Sequence, residues 1–379
     1  MKDQIRKQIK AQILTPSPQN IEQVAQALLQ DEVVGMPTET VYGLAGNAQS
    51  PTALARIFST KERPTFDPLI IHVSPQVRSL EDLADLHLID LRKISPSQRE
   101  TLKTLMREFW PGPLTLILPK SQKVPDLATS GLPTVGIRMP AHPVAQALID
   151  ASGCPLAAPS ANRFGRISPT TAEAVMSELG DRIPWILDGG SCWVGVESTI
   201  LGLKEASDEI QIYRPGGLAP EQLQRALGKP ISWTQTQNNP HVSVQAPGML
   251  ESHYAPQQPL ILLPRPVNEL QGRDLDTLKA QLQHLPPEAP LGALFLGGEA
   301  PLLSQKLGQL LSRVIWGRSL SQRGDLTEAA QHLFQEMRNL EALKTPIILA
   351  EPCFHQTGLG FAIADRLKRA SAPRAPHKS

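Results

Sequence analysis

Aromatic side chains are scarce in this chain: Phe, Tyr and Trp together make up 4% of its 379 residues. That argues against a stacking platform for single-stranded nucleic acid, which needs successive exposed rings. Neither sign of charge is in excess. Lys+Arg 37 against Asp+Glu 36 leave a formal net charge of +1, so no global basic field draws in RNA, although a local patch stays open. The only cysteines, Cys154, Cys192 and Cys353, are far apart and lack metal-type spacing. They read as buried thiols of a reducing compartment. No run approaches the length that spans a bilayer, and Met1 to Gln12 is charged, without the apolar core of a secretory signal. These absences predict a soluble cytoplasmic protein with no membrane partner. There is also no Walker-type glycine loop, no His-Glu-x-x-His and no Gly-x-Ser-x-Gly. ATP, if used, must be held by another scheme.

What is present suggests two α/β domains. Hydrophobic residues at 41% suffice for packed interiors, and the length exceeds one ordinary core. From residue 20 helices and short strands alternate, with Asn20 as a candidate cap, Ser50-Pro51 and Ser95-Pro96 as helix starts, and strands at Val33, Leu69 to Val73, Leu114 to Leu118 and Val135 to Arg138. Many short strands with few long helices predict a twisted mixed sheet over 15–227. Residues 228–259, rich in Gln, Asn, Pro and Ser, read as a linker. Strands and helices alternating over 260–370 predict a smaller parallel-sheet domain, and 371–379 a disordered tail.

The stretch Pro37-Thr38-Glu39-Thr40-Val41-Tyr42-Gly43 follows an apolar strand. Open α/β sheets usually bind ligands at such a place. Lys61 and Arg63, before Pro64, add two fixed cations: Arg63 suits a phosphate or carboxylate fork, and Lys61 acts as a point charge. Arg138 and Arg214 each close an apolar strand, and Gly216-Gly217 offers amides for an anion nest. Their convergence predicts a polyanionic ligand such as a nucleotide. Ser160 and Asn162 lie in a small-residue turn, and Ser198 precedes a further strand. His72, on an otherwise apolar strand, is by itself more often a hydrogen-bonded core histidine. His253-Tyr254 in the polar linker reads as a lid over the ligand or as a docking anchor. Gly358-Leu359-Gly360 reads as packing.

Taken in order, Pro37 to Gly43, Lys61-x-Arg63-Pro64, Phe109-Trp110-Pro111-Gly112-Pro113-Leu114-Thr115, Ser160-Ala161-Asn162, Gly195-Val196-Glu197-Ser198-Thr199 and Arg214-Pro215-Gly216-Gly217 resemble the YrdC-type threonylcarbamoyl-AMP synthases, in the long two-domain form. The resemblance covers about residues 15–370. It implies a YrdC-type twisted mixed sheet with a concave positive cavity, plus a smaller Rossmann-like α/β domain. It also implies condensation of L-threonine, bicarbonate and ATP into threonylcarbamoyl-AMP and pyrophosphate, the first step of threonylcarbamoyladenosine modification of tRNA. A separate transferase complex would act next, with tRNA as final acceptor; direct tRNA binding is left open.

Carried over by motif, Thr40, His72, Arg138 and Ser198 would contact threonine. Arg63, Asp67, Thr134, Ser160, Asn162, Arg214 and Tyr254 would contact ATP, with Lys61 and Arg63 as the catalytic cations. Magnesium would come with ATP, and no tightly bound organic cofactor is expected. The sequence departs twice. Asp67 stands where the family commonly has asparagine, and Leu250-Glu251-Ser252 replaces a basic stretch before His253. An RNA-binding translation-associated module and a carbamoyl-transfer enzyme of the same fold are the alternatives.

Overall fold

The computed structural model describes residues 10–203, 209–233, 252–355 and 357–373. Contacts divide the chain into two compact units, 1–164 with 168–249 and 165–167 with 250–379. The first contains β1 (Gln12–Leu14), α1 (Pro18–Leu29), β2 (Val34–Met36), β3 (Gly43–Asn47), α2 (Pro51–Lys61), β4 (Ile70–His72), α3 (Leu80–Asp85), α4 (Pro96–Phe109), β5 (Leu114–Pro119), α5 (Asp126–Thr129) and β6 (Thr134–Arg138). It continues with α6 (Pro143–Ser152), β7 (Leu156–Ala157), α7 (Ala172–Leu179), β8 (Trp185–Leu187), β9 (Thr199–Leu203), β10 (Ile210–Arg214), α8 (Pro220–Leu227) and β11 (Ser232–Trp233). The strands form one mixed sheet in the order β1-β8-β2-β3-β7-β4-β6-β5-β9-β10-β11.

Alternation along the central strands separates a core face from a second face. Ile71, Val135, Ile137, Leu114, Leu116, Leu118 and Leu201 enter the main core. Their neighbours Ile70, Ile117 and Ile200 form a separate small cluster with Tyr213. Register places Ile70 opposite Gly136, His72 opposite Arg138, Thr115 opposite Arg138 and Ile200 opposite Thr115. Side chains directly opposite one another share a face. Thr134, Arg138, His72 and Thr115 therefore stand on the face turned away from the main core. That face is the floor of the site.

Two sequence expectations need correction here. Helix α1 is capped by Ser17, not Asn20: the Ser17 hydroxyl accepts the Asn20 N–H at 3.2 Å and Pro18 opens the helix. Strand β3 is absent from the strands read in the sequence, because Gly43 and Gly46 suppress strand propensity. The tight packing of its neighbours explains it: a Cβ on Gly43 would lie 3.0 Å from that of Ala158.

The second unit contains β12 (Leu260–Leu262), α9 (Arg273–Leu282), β13 (Leu291–Phe295), α10 (Ala300–Leu311), β14 (Ile315–Ser319), α11 (Leu326–Ala342), β15 (Ile348–Ala350) and α12 (Gly360–Ser371). Its sheet is parallel throughout, in the order β12-β15-β13-β14. Leu278, Leu282, Leu291, Phe295, Leu307 and Leu349 share its core. This is the expected small α/β domain, with β14 added. The packing role read for Gly358-Leu359-Gly360 agrees with the structure, where a Cβ on Gly360 would lie 2.3 Å from the His355 carbonyl oxygen. Of the linker read at 228–259, residues 234–251 lie outside the described residues, as do 374–379 of the tail. Among the described residues no helix is long and apolar enough to cross a membrane.

Candidate active site

At the carboxyl end of β6, Arg138 is 4% exposed and bound on several sides. It pairs with Glu39 Oε1 at 2.6 Å, donates to Thr40 Oγ1 at 2.8 Å and reaches the Gly112 carbonyl at 3.3 Å. Thr38 Oγ1 donates to the Val41 carbonyl at 2.6 Å and lies 2.9 Å from Thr40 Oγ1. With the Thr38 proton so used, the Thr40 hydroxyl donates to Thr38 while accepting from Arg138. The loop 37–42 is thus a hydrogen-bonded relay that aims one guanidinium.

His72 faces Arg138 across the β4–β6 ladder. Burial, reinforced by the Arg138 charge, pushes its pKa down to about 3. The ring is neutral throughout the physiological range and serves as a hydrogen-bonding group, not a proton shuttle. An acid-stability consequence follows. Because the native pKa lies below the ordinary 6.5, the unfolded chain takes up the proton first, and stability falls as pH drops from about 6.5 towards 3 by at most about 1.4 kcal/mol per unit. Urea titrations of His72→Gln across this window should show a flatter dependence. A slope matching the unsubstituted protein would refute the assignment.

On the neighbouring strands, Thr115 Oγ1 and Ser198 Oγ lie 2.8 Å apart. Arg214 donates to the Ser198 carbonyl at 3.0 Å and to Ser198 Oγ at 3.2 Å. His72, Arg138, Thr115, Ser198 and Arg214 thus gather at one edge of five adjacent strands, β4, β6, β5, β9 and β10.

A second cluster occupies the opposite edge. Lys61 ends α2, is 1% exposed, and donates to the carbonyls of Ser160 at 2.5 Å and Asn162 at 2.6 Å. Glu62 turns the chain out of the helix in the left-handed region, φ 56°. Arg63 then donates to the carbonyls of Asp67 at 3.1 Å and Pro68 at 2.8 Å and pairs with the Asp67 carboxylate at 2.8 Å. Asp67 is therefore the counter-ion that holds Arg63, an arrangement the sequence did not disclose. Burial, and then the Arg63 charge, drive the Lys61 pKa well below its ordinary value; Asp67 and Glu178 oppose them. Extending the β4–β6 register from Ile70 and Gly136 sets Pro68 opposite Thr134, and Thr134 lines a small pocket with Pro68 and Leu69.

Of the residues singled out in the sequence, the first unit thus assembles two groups: Thr40, His72, Arg138, Ser198 and Arg214, and Lys61, Arg63, Asp67, Thr134, Ser160 and Asn162. Tyr254 belongs to the second unit. It is 1% exposed, its ring centroid 4.2 Å from that of His253 and 5.6 Å from that of Phe334, and the Arg366 guanidinium lies 5.1 Å from the ring. Sequence reasoning gave no role to Glu39, the ion-pair partner of Arg138, or to Thr115, the neighbour of Ser198. Both lie inside quoted motifs, but only the fold shows whom they touch. Glu197 also gains a function, its Oε1 accepting the Ser168 hydroxyl at 2.6 Å.

Fold and site together define a class: a two-unit α/β protein of YrdC type whose mixed sheet offers a floor flanked by buried arginines and a buried lysine. The first unit matches the family model described as "Telomere recombination" over residues 26–216, and residues 218–372 match "Threonylcarbamoyl-AMP synthase, C-terminal domain". Threonylcarbamoyl-AMP synthase of Bacillus subtilis is 39% identical over 96% of each chain, and that of Pyrococcus abyssi 37% identical over 90% of this chain and 91% of its own. The crystal structure of P. abyssi Sua5 complexed with L-threonine superposes with a TM-score of 0.79 at 34% identity, covering 95% of this chain and 98% of that one. The chain belongs to the threonylcarbamoyl-AMP synthase family.

Proposed function

We propose that this protein condenses L-threonine, bicarbonate and ATP into threonylcarbamoyl-AMP with release of pyrophosphate. The observation that carries the reading is the spacing of the two cationic clusters along one sheet face. Thr134 and Arg138 lie on that face four residues apart, about 13 Å at strand rise. An amino acid at one end and a nucleoside triphosphate at the other fit such a floor.

Threonine would lie at the Arg138 end, its carboxylate on the guanidinium and its hydroxyl among Thr40, Ser198 and neutral His72. Its amine captures bicarbonate as an N-carboxylate, releasing water. The carboxylate oxygen attacks the α-phosphorus of ATP, the bond to the β-phosphate oxygen breaks, and pyrophosphate leaves. Lys61 and Arg63 lie at the triphosphate end, with Thr134, Ser160 and Asn162 as further nucleotide contacts, while Arg214, beside Ser198 at the Arg138 end, would meet the nucleotide where its α-phosphate reaches the amino acid. Fixed cations offset the charge that accumulates on phosphorus-bound oxygens, so positioning and electrostatics do the catalysis. Magnesium would arrive on the triphosphate. Glu39 and Asp67, the carboxylates lying against these cations, are each committed to an arginine, so no step is routed through a protein-held metal. The product is a mixed anhydride, and a downstream acyl transfer to tRNA must consume it.

Pyrophosphate release tests the proposal. It should require threonine, bicarbonate and ATP together. Valine in place of threonine should lower kcat/KM on the order of 10⁴-fold, because a pocket built to bond a hydroxyl is left with unpaired polar groups. Release without threonine, or equal rates with valine, would overturn it.

A further inference from the structure

The open edge of the second sheet has the geometry of an interface. β14 ends the strand order and pairs with β13 alone. The Val314 carbonyl accepts the Leu291 N–H and the Leu320 N–H donates to the Phe295 carbonyl, both at 2.9 Å, so even-numbered residues bond inward. The N–H and C=O groups of Ile315, Gly317 and Ser319 consequently point away from β13, with no further strand among the described residues. Gly317 faces α10, where an added Cβ would lie 2.1 Å from Ser304 Oγ. Trp316 and Arg318 stand on the other face, Arg318 lying 3.8 Å from Glu336 of α11. Trp316 is 41% exposed and Val314 58%.

We propose that a second copy of this chain pairs its β14 with this one, antiparallel, about a twofold axis through Gly317. Hydrogen-bonding parity requires odd-numbered residues to oppose odd-numbered ones, and of the axes it allows only the one through Gly317 sets Trp316 opposite Arg318. Gly317 then opposes Gly317, and Ile315 opposes Ser319, in pairs that exchange both backbone hydrogen bonds. Trp316 of each copy opposes Arg318 of the other in the non-hydrogen-bonded pairs, where side chains approach closest. A guanidinium set against an indole is a favourable cation–π pair, and the symmetry makes two of them. An axis through Ile315 or Ser319 would put no ring opposite Arg318. The twofold also closes the assembly, whereas head-to-tail edge addition would propagate.

Sedimentation equilibrium of the full chain across micromolar concentrations is the test, with thermal melting as the control for folding. The unsubstituted protein should sediment at twice the monomer mass at tens of micromolar. Trp316→Lys sets like charges opposite each other and should weaken association on the order of 10- to 100-fold without moving the melting temperature measured at concentrations dilute enough for both proteins to be monomeric. Adding Arg318→Glu restores opposite charges across the same pairs and should recover the dimer, a rescue that only this register supplies. A monomer at every concentration would leave the edge to an extended segment of another protein and overturn the proposal. A dimer indifferent to Trp316→Lys would overturn it equally.

Discussion

Arg138→Ala will cost the protein both its use of threonine and much of its stability. Arg138 and Glu39 are 4% and 1% exposed and pair at 2.6 Å. Removing one partner strands the other charge in a buried site, a loss of about 3–5 kcal/mol. The same change removes the charge-assisted donors proposed for the threonine carboxylate. We expect kcat/KM for threonine to fall on the order of 100-fold or more. The two effects are separable. The double variant Glu39→Gln, Arg138→Met leaves no unpaired charge, so denaturant unfolding should recover most of the lost stability while threonine use stays low. If Arg138→Ala unfolds at the original midpoint and keeps its threonine KM, the relay from Arg138 through Thr40 to Thr38 does not organise this site.

The double variant also shows why only part of the site was legible in the sequence. Residue types after apolar strands announced Arg138, Arg214 and Ser198, and the Lys61–Arg63 pair stood out at the end of α2, because cations and hydroxyls converging in this way have few structural reasons to be there. Their counter-ions could not be read the same way. Glu39 is one residue from Thr40 in sequence, but its meaning depends on Arg138, 99 positions away. Asp67, standing where the family commonly has asparagine, takes its meaning from its pairing with Arg63. Secondary structure failed for a related reason. β14 reads Ile-Trp-Gly-Arg-Ser and lacks an apolar run because it is an edge strand with one neighbour, and β3 holds two glycines because its neighbours leave little room for side chains. The elements that carried strong periodicity or a Ser-Pro start, such as α2 and α4, were legible. Those defined by long-range contact were not.

Lys61 should give the activity an alkaline limit. Its ammonium is buried, its pKa is driven well below the ordinary 10.5 by desolvation and by Arg63, and its two carbonyl partners lie 2.5 and 2.6 Å away. With rising pH it sheds its proton earlier than a solvated lysine, and the charge proposed to face the phosphates disappears. A bound triphosphate favours the charged form and raises that pKa. The limb in kcat/KM for ATP, which reports the free enzyme, should therefore lie at lower pH than the limb in kcat. Lys61→Arg keeps the charge at all accessible pH and should abolish the limb, though the larger group strains the site by about 1–3 kcal/mol. Lys61→Met should lose ATP use about 10- to 150-fold and leave two buried carbonyls without their donor. Stability supplies an independent reading. Since the folded pKa lies below the unfolded one, the unfolded state binds more protons between the two, and stability rises with pH across that window. Subtracting the Lys61→Met curve should isolate this rise. Coincident limbs in kcat and kcat/KM, or a limb that survives in Lys61→Arg, would place the titrating group elsewhere.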